Sequence, residues 1–439
     1  MSRRVRVFAG IILLLVALGA GLAVLAVLAA PRTDALQVVT VGQDPFGIAV
    51  DSRAGHVFVV NTTQGNGPST VSVLGAADGS PRRTTPVGVW AHGIVVGDRR
   101  GRAFISNTAD ARSHAPNSVS VIDTRTGREQ QRVPLSASLA TMTVDRTVGH
   151  VFLGLYNGRV QALDAANGRL IGAIALGFTP LASAVDERRG RALFVGSGRA
   201  GVGYLAVLDT HSSRLLWKAI VGLAPSAVAV DTRQGHVFVG SVGPGPGACA
   251  ASGGNCPFGS VSMLDVRDGR VLRTVNVEQN PASIVTDERT QRVFVVSAGA
   301  NQSDIGTVSV LDARTGAVLR TTTVGYGSAG AAVDVRRAHV YVANGNSGTV
   351  SVLDARTGRA LGAFRVVAGP VAVAVDERTD RVFVSSDDVS GGIAQTHQVG
   401  GRSVMDQISF FEAEASNELR LLHKGRTGTV SVFDAQKTP

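Results

Sequence analysis

The reactive side chains of this sequence are few, and their spacing limits the chemistry open to them. Its two cysteines, Cys249 and Cys256, share one Gly/Pro-rich loop, GPGPGACAASGGNCPFG. No CxxC motif, haem-attachment CxxCH or histidine cluster accompanies them, so no metal is assigned and a small local disulfide is expected in an oxidising compartment. Of the nine histidines, His56, His150, His236 and His339 recur before similar apolar strands on alternate repeats. Ligands to one metal lie about 2 Å from it, and side chains so dispersed cannot converge that closely. They read as solvated surface positions. Aspartates close strand after strand, for example Asp51, Asp145, Asp186, Asp231, Asp287, Asp334 and Asp376. A catalytic carboxylate is normally unique, and one repeated in this way reads as a turn residue. Its oxygens accept hairpin N–H groups, while a nearby glycine, as in Asp354-Ala-Arg-Thr-Gly358, takes positive φ. No catalytic residue, metal or cofactor is assigned.

The scaffold that must position any site is a repeat, clearest at residues 340–366, VYVANGNSGTVSVLDARTGRALGAFRV. With the preceding GSAGAAVD it reads as four short strands joined by turn-forming residues. Copies run from about residue 44 to the C-terminus. Tandem four-strand units of about 40 to 50 residues predict a β-propeller. Eight first strands end at Asp51, Gly97, Asp145, Asp186, Asp231, Asp287, Asp334 and Asp376, and eight third strands close at Gly75, Asp123, Asp164, Asp209, Asp265, Asp312, Asp354 and Asp434. The eighth unit lacks a fourth strand. Residues 36–42, LQVVTVG, look like a stray fourth strand and are expected to complete it, pairing edges that would otherwise stay open. The expected fold is therefore all-β: eight four-stranded blades over residues 36–439, with an insertion at 386–428 in the last blade. The residue before each second strand alternates: His56, Arg102, His150, Arg191, His236, Arg292, His339, Arg381. Such alternation is the trace expected of a duplicated two-blade unit.

The segment VYVANGNSGTVSVLDARTG resembles the YVTN-type (YncE-like) propeller repeat, with Tyr341-Val-Ala-Asn344 standing where that family has its tetrad. The likeness spans essentially residues 36–439, although most other copies have Phe for Tyr and lack the Asn. It implies an extracytoplasmic propeller used mainly for binding, with no active-site motif to carry over. Related propellers often have seven blades, which makes seven the alternative count.

Residues 1–6, MSRRVR, precede an uncharged run at 7–30. As a helix at ~1.5 Å per residue this run would be roughly 36 Å long, enough for a bilayer core of about 30 Å. It is longer than a secretory h-region, so a retained signal anchor is expected over a cleaved peptide. The preceding arginines place 1–6 in the cytoplasm and the ring, after the linker 31–35, outside the cell membrane. The net charge is +10, and the only lysines are Lys218, Lys424 and Lys437. Nucleic acid or another anionic polymer is one reading of that charge. Arginines scattered over hairpins, without a Lys/Arg run, are the favoured one.

The connections between second and third strands vary in length while the other hairpins stay short, and variable loops on a rigid scaffold are where binding resides. The channel mouth on that face should present Phe46, His92, Ala140, Leu181, Ser226, Ala282, Ala329 and Val371. Phe46, Trp90, His92 and Tyr326 are the candidate partner-binding patch. A lactonase or lyase would need several acids, amides or histidines converging there. Within the insertion, residues 404–424 suit an amphipathic helix slightly better than a hairpin. The sequence thus reads as a membrane-anchored binding or scaffolding module for an envelope protein or surface polysaccharide.

Overall fold

The computed structural model describes residues 35–63, 67–97, 101–108, 115–243, 258–299, 304–367, 369–387 and 427–438. The expected cytoplasmic stretch 1–6, the apolar run 7–30, both cysteines and residues 388–426 lie outside that set. Among the described residues no helix is long and apolar enough to cross a membrane.

Eight antiparallel four-stranded sheets make up the described chain. The eight-blade count holds, and the seven-blade alternative falls. Blade 1 runs Pro45–Asp51, His56–Asn61, Thr70–Gly75 and Pro81–Pro86. Blades 2 to 7 repeat that meander as far as Arg365. Blade 8 takes Gly369–Asp376, Arg381–Asp387 and Thr429–Asp434 from the C-terminal end and its outer strand, Gln37–Thr40, from the N-terminal end. The closing register pairs Gln37 with Val432 and Thr40 with Thr429. First strands touch first strands all the way round, blade 8 against blade 1 included.

Burial follows from this layering. The second and third strands are covered on both faces, so His56–Asn61 and Ser118–Asp123 are almost wholly buried. Fourth strands form the rim, and Pro81–Pro86 is almost wholly exposed. This explains second strands that are continuous in Val, Phe and Ala rather than alternating. One second-strand aromatic ring fills the space between sheets in each of the eight blades: Phe58, Phe104, Phe152, Phe194, Phe238, Phe294, Tyr341 and Phe383, all fully buried. Burying each is worth roughly 1.5–3 kcal/mol. Tyr341 adds a hydroxyl that meets Thr438 Oγ1 at 3.0 Å, and burial pushes its pKa up to about 12.

The repeated aspartates cap hairpins as expected. Asp51 Oδ1 accepts the Arg53 and Ala54 N–H groups at 3.0 and 2.9 Å, and Asp231 does the same for Arg233 and Gln234. The glycine closing each third–fourth hairpin has a second task. Gly358, at φ +69°, would place a Cβ 2.5 Å from Val310 of the preceding blade. Those hairpins are where one blade sits on the next.

The four histidines are not solvated surface positions. They are half-buried, and three reach across a blade boundary. His56 Nδ1 donates to the Thr124 carbonyl at 2.7 Å, His150 to Thr210 at 2.7 Å and His236 to Ala313 at 2.8 Å. In the even blades the matching arginines fold back on their own sheet, Arg102 onto Asp123 at 3.1 Å and Arg191 onto Asp209 at 3.3 Å. The division is not strict: Arg292 also donates to the Arg356 carbonyl of the next blade at 3.4 Å, while His339 meets Tyr341 of its own strand.

Buried turn carboxylates make the ring acid-sensitive. Burial pushes the Asp145 carboxyl up, but hydrogen bonds from Thr147, Thr210 and Val148 outweigh it, leaving the group below its ordinary value. At Asp354 burial is likewise outweighed, here by Thr357 and Arg356. Both folded pKa values lie below the unfolded ones, so this stabilisation is complete above about pH 4 and is lost as pH falls through the folded values. Thermal melts should show a shallow loss below about pH 6.5, because His92 and His339, with lowered pKa values, resist protonation in the fold. Below about pH 4 they should drop steeply beyond that loss. Substituting Asp145→Asn should shrink that drop. An unchanged acid limb in the variant would count against the assignment.

Candidate functional site: the loop-face channel mouth

Every first strand carries a register shift near its start: between Pro45 and Gly47 in blade 1, Ala91 and Ile94 in blade 2, Pro180 and Ala182 in blade 4. The residue skipped by the ladder is the one expected at the channel mouth, namely Phe46, His92, Ala140, Leu181, Ser226, Ala282, Ala329 and Val371. A bulge frees one residue from pairing and re-aims its side chain. This ring of eight is thus built by the backbone and holds one titratable group.

Three of the four candidate contact residues come together. The Phe46 and His92 rings meet edge to face at 5.7 Å, and Trp90 stacks on His92 at 6.4 Å and 20°. Phe46 is 48% exposed and offers the cluster's outer surface. Trp90 adopts φ 49°, a left-handed conformation disfavoured for a bulky residue. It occupies the slot that Gly327 fills in blade 7 with φ 65°. The geometry turns its carbonyl toward the Thr108 N–H at 3.2 Å. Its indole Nε1 is buried and has no hydrogen-bond partner. The same left-handed turn recurs at Asp44, Ala224 and Asn280, so the conformation belongs to the repeat, and the orphaned indole N–H is what sets Trp90 apart.

Tyr326 does not join the cluster. It ends the outer strand Val318–Tyr326 of blade 6, across the ring from blades 1 and 2, and its backbone N–H is held by Ser347 Oγ at 2.7 Å. Its place in the ring puts it in another sector from Phe46, Trp90 and His92. A feature the repeat pattern did not reveal is a depression of about 200 Å³ between blades 1 and 2, lined by Pro68, Val87, Val89, Pro116 and Arg132 among others.

Electrostatics at the mouth suit contact rather than proton transfer. Burial lowers the His92 pKa, and a bond to the Trp90 carbonyl only partly restores it, so the imidazole is neutral at pH 7. No carboxylate bears on it. Among the described residues no group of three or more His, Cys, Asp or Glu could hold a metal ion. Among the described residues none pairs His92 with a nucleophile or an acid, as lactone or ester cleavage would require.

A family model described as outer membrane protein assembly factor BamB matches residues 257–404, about a third of the chain. Among solved structures, the crystal structure of BamB from Moraxella catarrhalis superposes with a TM-score of 0.57 at 18% identity. The alignment covers 81% of this chain and 97% of that one. No curated protein matches. The likeness is one of fold. It agrees with a ring of four-stranded blades and leaves the YVTN-type resemblance as a feature of the repeat. The matched residues take in blades 6 and 7 and the strands at 369–387, whereas the aromatic cluster sits in blades 1 and 2, outside the match.

Proposed function

We propose that this protein is an extracytoplasmic, membrane-anchored binding scaffold that holds an envelope protein on its loop face. The observation that carries the reading is the Phe46–His92–Trp90 cluster: an exposed Phe46 ring backed by half-buried His92 and Trp90, with no acid or nucleophile among the described residues paired to His92. Exposed aromatics backed by a rigid scaffold suit protein recognition, where a few such side chains dominate binding energy. The matched family's description as an assembly factor supports a protein partner over a polysaccharide. The YVTN-like repeat and the apolar run at 7–30 support placement outside the cytoplasmic membrane.

Cross-linking and pull-down from the protein's own envelope test this. Replacing Trp90 and His92 together with alanine should weaken capture of the partner at least about tenfold, the scale of a single hot-spot loss. The melting profile should stay that of a folded ring, because the cluster lies on the surface. Unaltered capture would refute the site. Turnover of a lactone or ester abolished by His92→Ala would move the protein into the enzyme class.

A further inference from the structure

The hairpin face, opposite the loops, carries a charge pattern that the scaffold reading leaves unused. Each of the seven described first–second hairpins exposes an arginine: Arg53, Arg146, Arg188, Arg233, Arg289, Arg336 and Arg378. Side-chain exposure reaches 65% at Arg146 and 59% at Arg336. A second, wider circle comes from the third–fourth hairpins, with Arg125, Arg267, Arg314 and Arg356 all exposed. Most neighbouring acids are less exposed than these arginines, although Glu187 lies 3.6 Å from Arg146, Asp380 lies 3.9 Å from Arg336, and Asp78 and Asp268 are exposed. Asp231 and Asp287 are buried and accept the N–H groups of Arg233 and Arg289 themselves, while Glu288 accepts the Thr232 N–H of the preceding blade. Several guanidiniums are steadied against the next hairpin, Arg233 on the Glu288 carbonyl at 3.3 Å and Arg289 on the Val335 carbonyl at 2.9 Å. Among the described residues, the most exposed charged groups of this face are mostly cations, set in an inner and an outer circle.

A separate observation says what this face meets. The strand Gln37–Thr40 runs antiparallel to Thr429–Asp434, which ends at the hairpin face. The described chain therefore begins on the hairpin side, where the Leu36 N–H bonds the Val432 carbonyl at 2.9 Å. If residues 7–30 span a bilayer, the five residues 31–35 reach at most about 17 Å. The hairpin face is then the one that must lie beside the membrane.

We infer that the arginine circles dock the ring on an anionic phospholipid surface, leaving the loop face turned outward to its partner. The ligand chemistry is the phosphate diester of lipid headgroups. A disc of short, equal hairpins complements a planar array of charges better than a linear polymer, which would select a stripe. Attraction of this kind is worth about 1 kcal/mol per basic residue near the surface, or roughly fivefold in partition, and it fades with salt.

The test uses the full-length protein in nanodiscs of phosphatidylcholine alone or mixed with phosphatidylglycerol, with a fluorophore at residue 55 or residue 278 and a quencher at the headgroups. Anionic lipid should bring strong quenching at 55 and little at 278, reversed by raised salt and by the triple variant Arg53→Glu, Arg233→Glu, Arg336→Glu. Lipid-independent quenching, or stronger quenching at 278, would overturn the proposal. So would an equal salt-sensitive affinity for duplex DNA, which would make the face a general polyanion surface. No arm involves the envelope partner, so failure here is distinct from failure of the loop-face reading.

Discussion

Deleting residues 36–42 should leave a protein that aggregates or melts far below the parent. Val39 and Val41 are buried beside Val57, Val59, Phe383 and Val430, where blade 8 meets blade 1. Losing two buried valines costs about 3–6 kcal/mol at roughly 1.5–3 each. Against a total of about 5–15 kcal/mol for a folded domain, that is a large share. The deletion also strips Thr429–Asp434 of its outer partner and opens the ring at its one seam made from both chain ends. An exposed hydrophobic edge of this kind recruits other chains. Val38→Thr is the control, since Val38 is 40% exposed and changing it should leave the melt within a few degrees. Thermal melts with size-exclusion chromatography decide the matter. A truncated ring as stable as the parent would mean that the N-terminal strand merely decorates a ring closed by other contacts.

The second large effect is expected of Gly203→Ala. A methyl there would lie 2.0 Å from the Gly222 carbonyl oxygen and 2.7 Å from Pro225 Cδ at the start of blade 5. Neither obstacle is a flexible side chain, so the seam between blades 4 and 5 must part. The same seam recurs at Gly259 against Pro281 and at Gly428 against Pro45, which is why glycine opens these third strands and proline the next first strand. Overpacking of this sort costs about 1–3 kcal/mol or more where backbone must move. Gly149→Ala separates sterics from conformation. Gly149 has φ +78° but nothing within 4 Å, so its loss is confined to the backbone, about 1 kcal/mol. Equal melting of the two variants would mean that the seam yields easily.

Much of this was legible beforehand because propeller strands are local. A turn, a run of Val and Phe, an Asp and a Gly specify each hairpin without reference to distant residues. Eight such units can satisfy their edges only by closing on one another, with Leu36 to Gly42 left over to fill the last gap. The bulge residues were predictable for the same reason, since each follows the strand's opening residue at a constant offset.

What depends on rotation about the ring axis was not legible. Tyr326 and Phe46 flank equivalent connections in sequence, yet they belong to opposite sectors and do not meet. His56 looked solvated because its partner, the Thr124 carbonyl, belongs to the next blade and lies 68 positions away. The two arginine circles were scattered single residues in the chain, and only the ring sets Arg53, Arg233 and Arg336 on one plane while Asp231 and Asp287 are drawn under it. Period and turn chemistry act between near neighbours, so the sequence alone determined eight four-stranded blades and their closure. Which side chains share a surface is set by the stacking of blade on blade, and that the tertiary structure alone decided.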